Sequence, residues 1–383
     1  MDMCKAIVIG SKGVNAVGLI RSLGERKFDV TFMSTYSKIE SKYTKGYLKL
    51  PDNRKKWLAL LQKYGQISKE KIGMFPTDDD TAFWLDENYE ALQKYFIVPH
   101  AKGKMRTLAD KSVMNEIAKK AKLNVPKFAK ISLVESERKN EYPIILKPYA
   151  GYAGNKGDIS ICYTENEYRN AVRVLKKQGY KEVLLQQLLD DPEQIGLMGM
   201  ALNNGQVVIP GVIHKIRSYP TGKGSTSYAK FSPVMSEMNE QKIKQFVSAM
   251  GYVGIFDIEM IKAYGKYWFI EINYRNGQYG YTPTAAGYNL PANWVYGMKN
   301  EKVEKCNNLQ EIYYINERED YRHVKEGTIN KKEWLKEFHT ASAYGMYCPG
   351  DQRPFIRQYV KVPDRVIIKG RKLKSHIKDL LIK

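Results

Sequence analysis

The segment "GIFDIEMIKAYGKYWFIEINYRNGQ" (254–278) restricts this chain more than any other stretch. Apolar residues recur on both sides of Tyr264–Gly265, so two strands joined by a tight turn are expected. In the second strand Glu271, Asn273 and Arg275 occupy every other position and project from one face, while Ile270, Ile272 and Tyr274 project from the other. Glu259 stands 12 residues before Glu271 on the preceding strand, and folding the hairpin can bring the two carboxylates together. Gathering carboxylates, an amide and a guanidinium on one face is unfavourable unless they hold something. A solvent-facing edge strand is the plain reading, and a metal-and-phosphate site is the sharper one. Two carboxylates and an amide oxygen suit Mg²⁺, a hard cation that completes its shell with water and phosphate oxygens.

The chain opens differently. In "KAIVIGSKGVNAVGLIRSLGERKFDVTFMS" an apolar strand, a glycine-bearing turn, a helix and a second strand follow one another, the start of a parallel α/β domain. Gly10, Gly13 and Gly18 do not make the dinucleotide fingerprint GxGxxG, and are expected to serve the turn and helix packing. After the strand ending near Phe75, Asp78, Asp79 and Asp80 open a helix. They are expected as caps, with a contact from Asp78, Asp79 or Asp80 to a substrate ammonium at the strand-end crevice as the other reading.

Beyond about residue 100 strands predominate and antiparallel pairing is expected. Lys147 ends the strand "PIILK" and precedes a loop with Gly151, Gly154 and Gly157, whose backbone N–H groups can approach phosphate oxygens. "HKIRSYPTGKGSTSYAKF" (214–231) reads as a mobile loop. Its Lys215, Arg217 and Lys223 invite a substrate carboxylate, with Arg217 the best bidentate candidate, although a solvated basic loop explains them equally well.

Length bears on domain count: 383 residues suit two or three domains. The sign of the charge bears on partners, since 62 Lys+Arg against 41 Asp+Glu give +21, a field that attracts polyanions without saying which. No nucleic-acid-binding motif supports nucleic acid as the target. The four cysteines lie far apart with no CxxC, which suits free thiols in a reducing compartment, so a cytoplasmic protein is expected.

In order and type these residues resemble the ATP-grasp superfamily of carboxylate–amine ligases over about residues 5–298. The resemblance implies mixed α/β and α+β architecture: an N-terminal parallel α/β (pre-ATP-grasp) domain over 1–105, an ATP-grasp domain over 106–300 with a lid at about 125–185, and a basic C-terminal extension over 301–383. It implies that Lys111, in "DK" before a helix and "NVP", and Lys147 contact ATP phosphates under the lid of Gly151 and Gly154. It implies that Gln186, Gln187 and Leu189 in "VLLQQLLDDPEQIG" clasp the base, with Gln194 near ribose or phosphates. Gln186 departs from the acidic residue usual there. Glu259, Glu271 and Asn273 become the Mg²⁺ ligands (Mn²⁺ being a substitute), and Arg275 faces the transferring phosphoryl group with Lys147.

The implied chemistry is ADP-forming amide synthesis through an acyl phosphate. His214 could assist proton removal from the amine, although a lone histidine near a loop is more often a surface residue. "TPTAAGYNLPANWVYGM" (282–298) and "REDYRHVKEGTINKKEWLKEF" (318–338) resemble the branch that holds D-aspartate ligases and ligases of cell-wall or surface-polysaccharide precursors, which implies a small, lipid-linked or sugar-linked carboxylate and an amine as substrates. A carboxylase-type enzyme and a nucleotide-binding scaffold without turnover stand as alternatives. The tail 359–383 alternates lysines with Leu373, Ile377, Leu380 and Leu381. It can lie on the inner membrane surface as a basic amphipathic helix or pack on its own domain.

Overall fold

The computed structural model describes residues 3–133, 141–148, 158–189, 192–221, 224–233 and 238–359. Gly151, Gly154, Gly157, Lys223 and the basic tail from 360 onward lie outside them.

The first sheet is all parallel, with β1 (Lys5–Ile9), β2 (Asp29–Ser34), β3 (Thr44–Lys49), β4 (Ile72–Pro76) and β5 (Phe96–Ile97) in the order β3-β2-β1-β4-β5. The branched runs of β1 and β4 are buried along almost their whole length, as strands covered on both faces must be. Helices α1 (Val14–Glu25), α2 (Trp57–Gln66) and α3 (Asp79–Glu87) accompany this sheet. The strand order reverses between β1 and β4, the crevice where sheets of this kind take ligands. Gly10 there has φ +125°, and a Cβ on it would come within 2.5 Å of Asp78 Oδ2, so conformation and space both demand glycine.

A four-stranded antiparallel sheet follows: β6 (Phe128–Ser132), β7 (Ile144–Pro148), β8 (Ser160–Cys162) and β9 (Glu182–Gln187), ordered β6-β9-β7-β8. One face, with Ile144, Leu146 and Val183, packs on the helix Glu165–Lys177, whose start is a capping box of Thr164 and Glu167. The other face carries Lys147 and Gln186.

The largest sheet runs β15-β14-β10-β12-β13-β16-β17, with β11 (Val207–Val208) beside β10. Its strands are β10 (Glu193–Ala201), β12 (Val212–Tyr219), β13 (Ser225–Ser232), β14 (Gly254–Ala263), β15 (Lys266–Asn273), β16 (Ile312–Ile315) and β17 (Ala343–Tyr344). One expectation changes here. The described parts of the segment 214–231 are paired strands, β12 and β13, rather than a mobile loop. Beyond 301 the chain continues the same sheet, β16 pairing with β13. The N-terminal unit is tied to the same region by Arg21, which is 1 % exposed. Arg21 meets Asp351 at 3.2 Å and donates to the carbonyls of Met346 and Tyr347.

Candidate active site

Glu259 and Glu271 sit directly opposite each other on β14 and β15, and Asp257 faces Asn273 one step on. The turn that joins the strands has Tyr264 and Gly265 both at positive φ, the conformation a two-residue hairpin needs. From that turn the register runs regularly to Met260 opposite Phe269, then shifts by one residue, so a bulge at Ile270 brings Glu271 opposite Glu259. Behind them Ile258, Phe269, Ile272 and Tyr274 enter the core.

Around these carboxylates lies a cavity of about 350 Å³, walled by Gln194, Lys215, Asp257, Glu259, Glu271, Asn273 and Arg275, with Ser11 and Thr77 contributed by the first sheet. Lys111, the first residue of the helix Lys111–Lys120 that Asp110 caps, reaches Glu271 at 3.1 Å. Lys215 reaches Glu259 at 3.1 Å and is 7 % exposed. Burial disfavours the Lys215 ammonium, but Glu259, Asp257 and Glu271 outweigh it and raise its pKa above the ordinary lysine value. The Tyr279 hydroxyl donates to Asp257 Oδ1 at 2.6 Å. Even so, burial and then the nearby Glu259 push the Asp257 carboxyl up to about 6. Lys147 is buried as well. Desolvation, then repulsion by Lys111, push its ammonium down to about 7 against the pull of Glu271 and Glu259.

Arg275 spans from this cavity to the first sheet's side of the cleft, where its Nη2 donates to Asp79 Oδ2 at 3.1 Å and its Nε lies 2.8 Å from Oδ1 as an ion contact out of line for a hydrogen bond. Gln186 is buried on the same face of the four-stranded sheet as Lys147. The Gln187 N–H donates to the Lys127 carbonyl at 2.8 Å, and Leu189 is buried.

Several anticipated residues take other places. Arg217 does not face a substrate. Its guanidinium is saturated by Asp320, at 2.8 and 3.1 Å, and by Glu337, at 2.6 and 3.1 Å. His214 projects from the face of β12 opposite Lys215 and bonds Glu193 at 2.7 Å, which removes it from the carboxylates. Asp78 caps α3. Its Oδ1 accepts from the Thr81 N–H at 2.9 Å and its Oδ2 from the Ser11 N–H at 2.8 Å, so both oxygens serve the helix start and the turn after β1. The aspartate of that run that reaches the site is its neighbour, Asp79. Sequence reasoning had Lys215 only as one of three basic residues in a supposed loop, and did not single out Asp257. Strand alternation from His214 would have been the signal for Lys215, and the i−2 spacing from Glu259 for Asp257.

Among the described residues no three carboxylate, imidazole or thiol groups converge as a closed metal cage. The donor set still fits Mg²⁺, because Glu259, Glu271 and Asn273 are all-oxygen ligands and both carboxylates are already met by cationic ammonium groups. Two or three protein ligands are what this ion takes when phosphates complete its shell.

Residues 116–287 match the family model of the ATP-grasp domain. The D-aspartate ligase of Enterococcus faecium (strain Aus0004) is 25 % identical over 313 residues, covering 74 % of this chain and 74 % of that protein. Among solved structures, the L-amino acid ligase of Bacillus licheniformis superposes with a TM-score of 0.61 at 15 % identity, over 82 % of this chain and 79 % of that one. The biotin carboxylase domain of Hydrogenobacter thermophilus 2-oxoglutarate carboxylase, in complex with MgADP, ADP and bicarbonate, gives 0.63 at 19 % identity, over 82 % and 74 %. The architecture is that of a mixed α/β protein with one parallel sheet and two further sheets, the carboxylate cluster lying on the largest. Residues 116–287 are the part of this chain that matches the ATP-grasp domain, and the carboxylate cluster on the β14–β15 hairpin lies within them.

Proposed function

We propose that this chain is an ATP- and Mg²⁺-dependent, ADP-forming carboxylate–amine ligase of the cytoplasm, joining an amino acid to a cell-wall or polysaccharide precursor through an acyl phosphate. The observation that carries the reading is the pair Glu259–Glu271, ringed by Lys111, Lys147, Lys215 and Arg275 at one cleft. Oxygen ligands and phosphate-neutralising cations in one place are what phosphoryl transfer requires. Bound at Glu259, Glu271 and Asn273, the metal ion would supply neutralising charge to the phosphate chain. Lys111 and Lys147 hold phosphate oxygens, Gln186, Gln187 and Leu189 form the base wall, and Gln194 lines the approach.

Arg275 and Lys215 receive the charge that develops as a substrate carboxylate oxygen bonds the γ-phosphorus and the bond to the ADP oxygen breaks. The amine nitrogen then bonds the acyl carbon, phosphate leaves with the C–O bonding pair, and the amine proton passes to solvent. The amino-acid side of the reading draws on the E. faecium relative, which is a D-aspartate ligase, and on the architecture shared with an L-amino acid ligase.

The test is phosphate release from MgATP across a panel of D- and L-amino acids with amine-bearing and acidic envelope precursors. Release that requires one acid–amine pair, and falls at least about a hundredfold in Glu271→Gln, is the expected result. Release that is independent of substrate and survives Glu271→Gln would remove the metal assignment and the reading with it.

A further inference from the structure

Three cations at the cleft each hold a carboxylate of this chain: Lys111 holds Glu271, Lys215 holds Glu259 and Arg275 holds Asp79. The first two carboxylates belong to the proposed metal set, and an ion binding there would release both lysines toward anions. Asp79 belongs to no such set. It comes from the N-terminal domain, 196 residues from Arg275 in sequence, as the first residue of α3.

The pair stands between two cavities. Arg275 walls the 350 Å³ cavity of the carboxylate cluster. Asp79 walls a second cavity, of about 500 Å³, at the carboxyl ends of β1, β2 and β4. Ser11 lines both.

Asp79 uses the fork of Arg275 incompletely: Nη2 donates to Oδ2, while Nε, buried and 2.8 Å from Oδ1, is out of line for a hydrogen bond and has no acceptor. Asp79 is 40 % exposed and Arg275 19 %, so the pair is held only weakly against exchange. A substrate carboxylate replacing Asp79 at the fork keeps the charge, and one aligned with both N–H groups would also satisfy Nε.

We infer that Asp79 is a resident stand-in for the acid substrate: the substrate carboxylate takes the Arg275 fork, displaces Asp79 into the N-terminal cavity, and so opens the partition between the two cavities. Asp79 is then a positioning and specificity residue that acts through Arg275. It keeps the guanidinium aimed while the site waits, and it sets a threshold that only a competing carboxylate overcomes. This rests on the ligase reading above.

The experiment traps the acyl phosphate with hydroxylamine as hydroxamate, using the acids of the panel with D-aspartate as the first probe, in wild type, Asp79→Asn and Asp79→Ser. Removing the internal competitor lowers the KM for the acid about two- to fivefold, while the KM for ATP stays within about twofold. A merely structural role would raise the acid KM or lower kcat alone. The exposure of Asp79 favours intact folding of both variants, which thermal unfolding checks, and serine keeps a polar group at the helix start.

An acid KM that is unchanged or raised in both variants overturns the inference. A shift confined to ATP also overturns it, because the fork would then serve the phosphoryl group. Wild type forming hydroxamate from no acid would overturn the ligase reading and this inference together. Turnover with an acid KM insensitive to Asp79→Asn removes this inference alone.

Discussion

Lys147 is an ammonium placed where water hardly reaches, and its neighbours do not make up for the loss. Burial and Lys111 bring its pKa to about 7, so above that pH the free protein holds it largely neutral. A lysine whose folded pKa lies below its unfolded value adds no stability at low pH. The folded state gains on the unfolded one as pH rises through about 7 toward the ordinary lysine range. A polyphosphate at Lys147 supplies the missing opposite charge and draws the proton back. Nucleotide binding at about pH 8 is therefore expected to take up to about one proton. The calorimetric enthalpy of ATP binding should then differ between buffers of high and low ionisation enthalpy. Lys147→Met should abolish most of that difference, and a buffer dependence identical in the variant would place the phosphates elsewhere. The same sequence cannot show this value, because "IILKP" fixes the residue type while the depressed pKa comes from burial on the four-stranded sheet and then from Lys111, 36 positions upstream.

At the scale of elements, β12 shows what alternation does. Lys215 points into the cavity, His214 points away to Glu193, and register shifts around Arg217 turn the next cation to Asp320 and Glu337 on the helices Glu317–Lys325 and Lys331–Thr340. Asp320 has no exposed side-chain surface and also accepts from the Ser227 hydroxyl at 2.7 Å, so Arg217 is the charge partner of a fully buried carboxylate. Truncating one member of such a pair strands the other. Arg217→Ala should cost about 3–5 kcal/mol of unfolding free energy, read from the urea midpoint. A substrate-clamp role predicts the reverse pattern, a raised acid KM with stability unchanged. Reading the segment as a loop failed because its Gly, Ser and Lys content looks polar and irregular, while the buried members Thr226, Tyr228, Ala229 and Phe231 are spread among those residues.

Across the whole molecule, three sheets meet at one cleft, and long-range ion pairs hold the parts in place. Arg21 on α1 and Asp351 near the end of the described chain are each 1 % exposed. Asp351 also accepts from the Ser41 hydroxyl at 2.7 Å and the Lys42 N–H at 2.9 Å. Glu317, fully buried, accepts the N–H groups of Gly345, Met346 and Tyr347, which fastens the same stretch to the large sheet. Asp351→Ala leaves the Arg21 guanidinium buried without its counter-charge, and a loss of about 3–5 kcal/mol is expected. Cleavage near 345–351 by added protease should accelerate in parallel. Unchanged stability would mean the C-terminal stretch is only laid against the N-terminal domain. Among the described residues no helix is long and apolar enough to cross a membrane.

Local order in the chain was enough to determine the parallel start, the Tyr264–Gly265 hairpin, the capped helices, and the chemical types at 111, 147, 259, 271, 273 and 275. Periodicity, caps and turns depend on residues a few positions apart. Tertiary structure decided which of those groups meet. Continued from Met260–Phe269 without a shift, the hairpin would set Glu259 opposite Ile270; the one-residue bulge sets it opposite Glu271. Lys215 enters and His214 leaves because β12 has one register against β10. Asp79 reaches Arg275 only because α3 and the end of β15 are packed together. Register and packing are settled by burial and charge between residues far apart in the chain, and no spacing within a short segment records them.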